Sequence, residues 1–296
     1  MQVQGARKYH QGNPCCTSSQ ILHKVGVPRT FFYGQEGEYS VLVTELLGPS
    51  LEYLLNLCGG TFSLKTVCLV AKQIIARLQS IHELSFIHRY IRPSSLLIAD
   101  PRSAPQVPNQ IYIVAFGFTR VYRSKRTGFH YPPRATDIVA DDTMYASTNS
   151  HRQGDQSRRD DLEALGYVLA HFLRGDLPWD DTGTDTELGD AKENSLSTLY
   201  GGFPAQFGTY MAHARGMNFA DSPNYDYLRG LFDEVLRESS EADDGVYDWM
   251  LLNDGKGWNI VSPSWVHSAA SSRFMTLVAE RRCSYSTRSR ISRGFP

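Results

Sequence analysis

Between Phe86 and Ile98 the chain gathers a histidine, two arginines, a tyrosine and two serines: Phe86-Ile87-His88-Arg89-Tyr90-Ile91-Arg92-Pro93-Ser94-Ser95-Leu96-Leu97-Ile98. Arg89 and Arg92 could hold an anion such as phosphate, Arg92 as a planar fork. Proton abstraction is harder to supply, because the segment contains no carboxylate. A tyrosine phenol with an ordinary pKa of about 10 is almost wholly protonated near neutral pH, so Tyr90 is no ready base. Ser94 and Ser95 are neutral oxygen donors, poor ligands for a hard cation that prefers charged oxygen.

A long helix must precede this stretch and a strand continue it. From Leu64 to Ile81 the apolar positions Leu64, Val67, Cys68, Ala71, Ile74, Ile75, Leu78 and Ile81 keep helical spacing and predict a buried amphipathic helix. Before it, Glu38–Glu45 reads as a strand rich in β-branched and aromatic residues. Gly48-Pro49-Ser50 breaks that strand, and Ser50 is placed to cap a short helix over Leu51–Leu57. A second apolar strand is predicted at Ile111–Val114. Residues 118–156 mix charge, proline and glycine without a period and are expected to form a long ordered loop. Ser157-Arg158-Arg159-Asp160 has the form of a capping box and opens a helix with the stripe Leu162, Leu165, Gly166, Leu169, Phe172 and Leu173. Residues 180–200 carry six acids against Lys192 and are expected to be a flexible connection. Helical patterns return at 204–215 and 225–237, with Trp249 and Trp258 as late aromatic anchors.

Several stretches, in one consistent order from about residue 15 to about 250, resemble the casein kinase 1 family of Ser/Thr protein kinases. Phe86–Ile98 is similar to the catalytic loop, which reads His-Arg-Asp, then Lys-Pro, then Asn. Glu45-Leu46-Leu47-Gly48-Pro49-Ser50-Leu51-Glu52 resembles the family's hinge, and Ile111–Gly117 the strand entering the Asp-Phe-Gly magnesium motif. Tyr145-Ala146-Ser147-Thr148-Asn149 resembles the family's substitute for Ala-Pro-Glu. Gln156–Leu169 and Arg174-Gly175-Asp176-Leu177-Pro178-Trp179 are similar nearly residue for residue, and Pro223–Arg229 and Tyr247-Asp248-Trp249 fit the end of the domain.

The resemblance implies an α+β fold: a protein-kinase-like, mainly helical C-lobe with an incomplete N-lobe. It implies a kinase-like domain over 21–255, with a hinge near 44–48 and the C-lobe from about 50. Residues 1–20 are expected to be a remnant N-terminal segment, too short for the family's Gly-rich loop and strand lysine. Residues 263–296, Ser/Arg-rich with Glu280 the single acid, are expected to be a disordered basic tail.

At the reaction centre the resemblance places Tyr90 where the family has its catalytic Asp, Ser95 where it has the metal-binding Asn, and Ala115 where it has the metal-binding Asp. Arg92 replaces the family's Lys. Thr44, Glu45, Leu46 and Leu47, with Leu97 as floor, are the remnant of the nucleotide site. His88 and Arg89 are expected to be structural, and Asp161 to brace the catalytic-loop backbone. Met144 stands where active members carry an Arg that favours phosphorylated or acidic substrates.

The expected function is therefore a pseudokinase with little or no phosphotransfer, acting as a binding or scaffold protein. The alternatives are an active ATP-dependent Ser/Thr kinase from a truncated gene model, and a non-functional remnant. No cofactor or metal is expected; ATP and Mg²⁺ enter only if kinase function remains. Protein partners are expected, with phosphate or a phosphopeptide at Arg89 and Arg92 once the carboxylates are gone. Thirty basic and 31 acidic residues give a net charge of −1, so no global field favours nucleic acid or membrane. No apolar run is long enough to span a bilayer, and Cys15 and Cys16 lack metal or disulfide spacing. An intracellular protein, cytoplasmic or nuclear, is expected.

Overall fold

The computed structural model describes residues 25–36, 39–102, 104, 106–107, 109–134, 144–179, 185–258 and 276–281. The expected N-terminal remnant 1–20 and most of the tail 263–296 lie outside them. Among the described residues the strands are β1 (Thr30–Glu36), β2 (Tyr39–Thr44), β3 (Leu47–Ser50), β4 (Phe86–Ile87), β5 (Leu96–Ala99), β6 (Ile111–Ile113), β7 (Arg120–Val121) and β8 (Thr276–Arg281). The helices among them are α1 (Leu51–Leu57), α2 (Leu64–Glu83), α3 (Thr148–His151), α4 (Arg158–Arg174), α5 (Asp185–Asn194), α6 (Ala205–Gly216), α7 (Tyr225–Glu238) and α8 (Asp248–Gly255). The fold is α+β, with small antiparallel sheets set beside a helical lobe, as the resemblance implies.

The helices start where short polar side chains can satisfy their free N–H groups. Ser50 Oγ accepts from Tyr53 N at 3.2 Å and opens α1, and Ser63 Oγ accepts from Thr66 N at 3.2 Å and opens α2. Ser63 is itself fixed by Asp248, whose oxygens accept from its N–H and hydroxyl at 2.5 and 2.6 Å. At the head of α4, Asp160 Oδ2 accepts from Ser157 N at 2.6 Å, the return arm of the expected capping box. Gly175 ends α4 with φ +84°, a left-handed conformation that disfavours any Cβ.

α2 buries the expected stripe apart from its first member: Val67, Cys68, Ala71, Ile74, Ile75, Leu78 and Ile81 are all fully buried, and Leu64 is half-buried. It packs against α4 and α7, and α4 packs against α6. Leu162, Leu165, Tyr167, Val168, Leu169, Ala170 and Phe172 are fully buried around α4, as expected of a central helix. Gly166 allows α6 close, since a Cβ there would lie 2.5 Å from Met211 Cε. Fully burying a Leu or Ile side chain contributes about 1.5–3 kcal/mol, so this one contiguous cluster stabilises the lobe.

Three expectations change. Only two strands were expected, at Glu38–Glu45 and Ile111–Val114. Several of the additional strands have two to four residues, too short to display a two-residue period. Within the tail expected to lack order, Thr276–Arg281 pairs antiparallel with the full length of β2, from Thr276 opposite Thr44 to Arg281 opposite Tyr39. The third change is in 180–200, expected to be a flexible connection, where residues 185–194 form α5.

Lys192 anchors α5 to the lobe together with Leu188, which joins the core cluster. The Lys192 side chain is fully buried, and Nζ donates to Ala146 O at 2.7 Å and lies 2.9 Å from His151 Nε2. The ammonium also sits 4.9 Å from the Tyr167 ring centre and 5.4 Å from that of Trp179, a cation–π environment. The acids on α5 mask an anchor that composition alone reads as solvated. Lys192→Ala should lower unfolding free energy by about 2–4 kcal/mol, through the cavity and the carbonyl left without its donor. Urea denaturation checks this; a change below about 0.5 kcal/mol would mean that the lysine does not hold the segment.

Candidate functional site

Asp161, on the first turn of α4, is buried and accepts three hydrogen bonds. Oδ1 accepts from Arg89 N at 2.6 Å, and Oδ2 from His88 N at 2.7 Å and His82 Nε2 at 2.8 Å. Tyr225 OH lies 2.6 Å from His82 Nδ1, which joins α7 to the same network. Burial alone would raise the Asp161 pKa, but the His82 hydrogen bond, together with the charge and backbone interactions of His82 and His88, holds it below the usual carboxylate value. The carboxylate thus ties the loop backbone to α2, α4 and α7.

His88 is fully buried, and burial lowers its pKa. Nε2 donates to Val114 O at 2.9 Å while Nδ1 accepts from Tyr90 N at 3.3 Å, which together specify one neutral tautomer. Arg89 has φ +68°, strained for a residue with a Cβ, and its N–H is held by Asp161. Its guanidinium turns to Gln156 Oε1 at 2.7 Å and reaches Phe118 O at 3.5 Å. Burial, then nearby Arg120, lowers the Arg89 pKa.

Tyr90 projects from the clamped loop. Its ring stacks on Phe118 with centres 4.4 Å apart and planes 12° from parallel. Its hydroxyl oxygen accepts from Arg92 Nη1 at 2.6 Å, and the Arg92 guanidinium carbon is 5.1 Å from the ring centre. Ser95 is buried. Its Oγ lies 3.0 Å from Tyr90 O and 2.9 Å from Arg92 O, and it accepts from Arg92 N at 3.2 Å. That hydroxyl closes the loop on itself.

Ala115 adopts φ +67°, ψ +48° between β6 and the turn Phe116–Phe118. Asn, Asp and Gly enter this left-handed region most readily, and an alanine there costs roughly 1–2 kcal/mol. The backbone is shaped for a short polar residue, whereas the side chain present is a methyl. Beside it, Phe116 packs edge-on against His88 at 5.2 Å.

The residues expected to be the remnant of a nucleotide site lie along β2, β3 and β5. Thr44 ends β2, Glu45 and Leu46 form the connection, and Leu47 begins β3. Glu45 N donates to Arg29 O at 2.9 Å. Leu47 pairs with Ala99 and Ser50 with Leu97, so Leu47 and the expected floor share one sheet. All five residues are half-buried. None lines the cleft beside the catalytic loop, whose walls include Arg89, Tyr90, Arg92, Tyr145, Ser147 and Asp160.

The far wall of that cleft is fastened to α4 by buried carboxylates. Ser147 Oγ donates to Asp160 Oδ1 at 2.6 Å and accepts from Ser150 N at 3.2 Å, capping α3. Thr148 N and Oγ1 both donate to Glu163 Oε1, at 3.0 and 2.9 Å, and Tyr167 OH donates there at 2.7 Å. These bonds explain why Ser147 and Thr148 can anchor the segment. Met144 contributes its backbone carbonyl, which accepts from Trp179 Nε1 at 3.0 Å. Sequence reasoning had not linked His82, Gln156, Phe118 or Tyr225 to the site. Only Asp160 carried a signal, as a capping residue.

Among the described residues, no group of three His, Cys, Asp or Glu is placed to hold a metal ion. At the three positions of interest the donors are a phenol engaged by arginine, a hydroxyl engaged by loop carbonyls, and no side-chain donor at all. This set does not fit a hard dication.

A histidine-led loop clamped by a helix carboxylate, facing a segment pinned to the same helix, is the arrangement of a protein kinase lobe. Residues 18–222 match the protein kinase domain family, and the chain belongs to it. Within that family it is a casein kinase 1 member. It is 41% identical over 276 residues to casein kinase I homolog 2 of Schizosaccharomyces pombe, covering 91% of this chain and 61% of that protein. It is 47% identical over 240 residues to casein kinase I homolog 1 of the same yeast, covering 79% and 53%. Against casein kinase I homolog 3 of Saccharomyces cerevisiae the identity is 42% over 259 residues, covering 80% and 49%. The chain thus spans roughly half to three-fifths of these relatives' length.

The cleft wall carries a pH dependence. Burial pushes the Asp160 pKa from 3.8 up to about 6, against the lowering effect of the Ser147 and Ser157 hydrogen bonds. Between those values the folded chain holds a proton that the unfolded chain has released, so this group's contribution to stability falls as pH rises from about 4 to 6. The full swing is about 3 kcal/mol. Asp161 has the opposite sign: its contribution is present above the ordinary carboxylate value and is lost as pH falls through its depressed one. Asp160→Asn should therefore make stability rise more steeply with pH between 4 and 6 than in the parent chain. Parallel slopes in denaturant titrations across that window would contradict the assignment.

Proposed function

We propose that this chain is a casein kinase 1-like pseudokinase: a protein that keeps the kinase lobe as a binding or scaffold platform and transfers little or no phosphate. The observation that carries the reading is the condition of three positions in one reaction centre. The Tyr90 hydroxyl accepts from Arg92, the Ser95 hydroxyl donates to loop carbonyls, and Ala115 has no side-chain ligand. Loss of a general base alone typically lowers rate by about 10²–10⁴. Loss of both metal donors as well removes the cations that neutralise charge on a transferring phosphoryl group. The contiguous core and the clamped loop favour this reading over a remnant that folds poorly.

The binding role includes an anion site at the catalytic loop. Arg92 lines the cleft, where its Nη1 donates to the Tyr90 hydroxyl. A phosphate or phosphopeptide entering there would offer a charged acceptor, and charge-assisted hydrogen bonds are roughly twice as strong as neutral ones. Arg89 is turned toward Gln156 and Phe118, which leaves Arg92 as the principal contact and Arg89 as a neighbouring charge.

Two measurements test the reading. Incubated with Mg²⁺ and ATP, the purified chain should label neither casein nor itself, and Mg²⁺ should add nothing to any thermal shift by ATP. Robust phosphorylation abolished by a chelator would sink the pseudokinase reading and favour an active Ser/Thr kinase using ATP and Mg²⁺. A broad, non-cooperative melt would favour the remnant. In a phosphopeptide titration, Arg92→Ala should weaken binding about tenfold, and unchanged affinity would remove the anion site.

A further inference from the structure

The segment 119–134 carries five arginines and lysines and neither aspartate nor glutamate, in a chain whose net charge is −1. Arg120 is paired with Asp155. Among the described residues Arg123 donates to Ser85 Oγ at 3.0 Å and Glu83 O at 2.7 Å, and its guanidinium carbon lies 5.4 Å from the Tyr122 ring centre. Lys125, Arg126 and Arg134 are exposed.

The segment forms a braced hairpin. Arg123 and His130 make a β-bridge, Ser124 N donates to Phe129 O at 3.0 Å, and Gly128 N donates to Ser124 O at 2.8 Å. Its base is fixed in the lobe: Tyr122 is buried with its hydroxyl donating to His82 O at 2.8 Å, and the His130 ring packs 4.6 Å from Phe219. A rigid base thus carries an exposed tip, from which Lys125 reaches back so that its Nζ lies 5.1 Å from the centre of the buried Phe86 ring. At that tip Phe129 is 77% exposed, the most exposed large apolar side chain among the described residues, and Tyr131 is 40% exposed beside it.

We propose that this hairpin docks on an anionic lipid surface, with the Phe129 ring at the headgroup boundary and Lys125, Arg126 and Arg134 among the lipid phosphates. Charge and shape select this occupant. A protruding tip cannot enclose a small ligand or a peptide, which bind in concave sites. An aromatic ring beside several cations matches the layered chemistry of a membrane interface, apolar beneath and anionic above. Each cation near such a surface raises affinity about fivefold, and the effect is screened by salt. One ring and three cations make a weak, reversible contact that would work with a second attachment. The proposal is independent of whether the reaction centre transfers phosphate.

The test uses the full chain with vesicles of phosphatidylcholine alone or with 30 mole per cent phosphatidylserine, in sedimentation at about 0.1 and 0.5 M salt. The chain should sediment with the anionic vesicles only, less so at high salt. Arg126→Glu and Phe129→Ala should each reduce partitioning about tenfold. Both positions are exposed, so unchanged thermal melts should accompany the loss. A Phe129→Trp chain should be quenched by brominated acyl chains more than the parent. No binding to anionic vesicles would overturn the proposal. So would binding indifferent to Phe129→Ala, or binding without added quenching. Equal binding to soluble polyglutamate, sensitive to Arg126→Glu and without quenching on vesicles, would point instead to an acidic protein partner.

Discussion

The arrangement of the lobe depends on one carboxylate placed where water cannot reach it. Burying the Asp161 charge is unfavourable unless donors surround it, and the fold supplies His82, His88 N and Arg89 N. These donors come from α2 and from the loop, while the acceptor comes from α4 and Tyr225 extends the network to α7. Removing the carboxylate would strand all of them, a penalty of several kcal/mol and not the loss of one bond. This coupling explains how Arg89 stays at positive φ, and it holds the loop through backbone contacts that the side chain at position 90 does not make.

That independence separates architecture from chemistry. A catalytic loop held through its backbone can change its reactive side chains and still keep its shape. At two of the three changed positions new contacts accommodate the replacement. Tyr90 stacks on Phe118 and accepts from Arg92, and Ser95 bonds the loop carbonyls. Ala115 lacks such compensation, because its left-handed backbone favours Gly, Asn or Asp. A methyl group in that conformation is a local penalty that the surrounding turn sustains.

The opposite wall of the cleft follows the same physics with more at stake electrostatically. Asp160, Glu163 and Lys192 place ionisable groups in the interior, each fastening part of residues 145–151. Asp160 differs from Asp161 although the two are adjacent on one helix. Asp161 has a histidine and two backbone donors, whereas Asp160 has hydroxyl and amide donors that only partly offset burial, so the two pKa values move in opposite directions. Neighbouring carboxylates thus acquire different proton affinities from their surroundings alone.

The sequence by itself determined the long helices, because α2 and the core of α4 run long enough for apolar spacing to mark a buried face, and Ser50 and Asp160 sit where free N–H groups need acceptors. It also determined which groups stand at Tyr90, Ser95 and Ala115, since a phenol, a hydroxyl and a methyl have fixed chemical limits wherever they lie. The short strands, the course of α5 and the pairing of Thr276–Arg281 with β2 were not legible. Two to four residues cannot show a period, an acid-rich helix hides its one buried lysine, and strand pairing is a contact between distant segments. Only the tertiary structure decided that Arg89 turns inward while Arg92 meets the Tyr90 hydroxyl, and that Phe129 stands out from a rigid hairpin. Side-chain direction and exposure depend on neighbours brought together across the chain, and no local spacing encodes them.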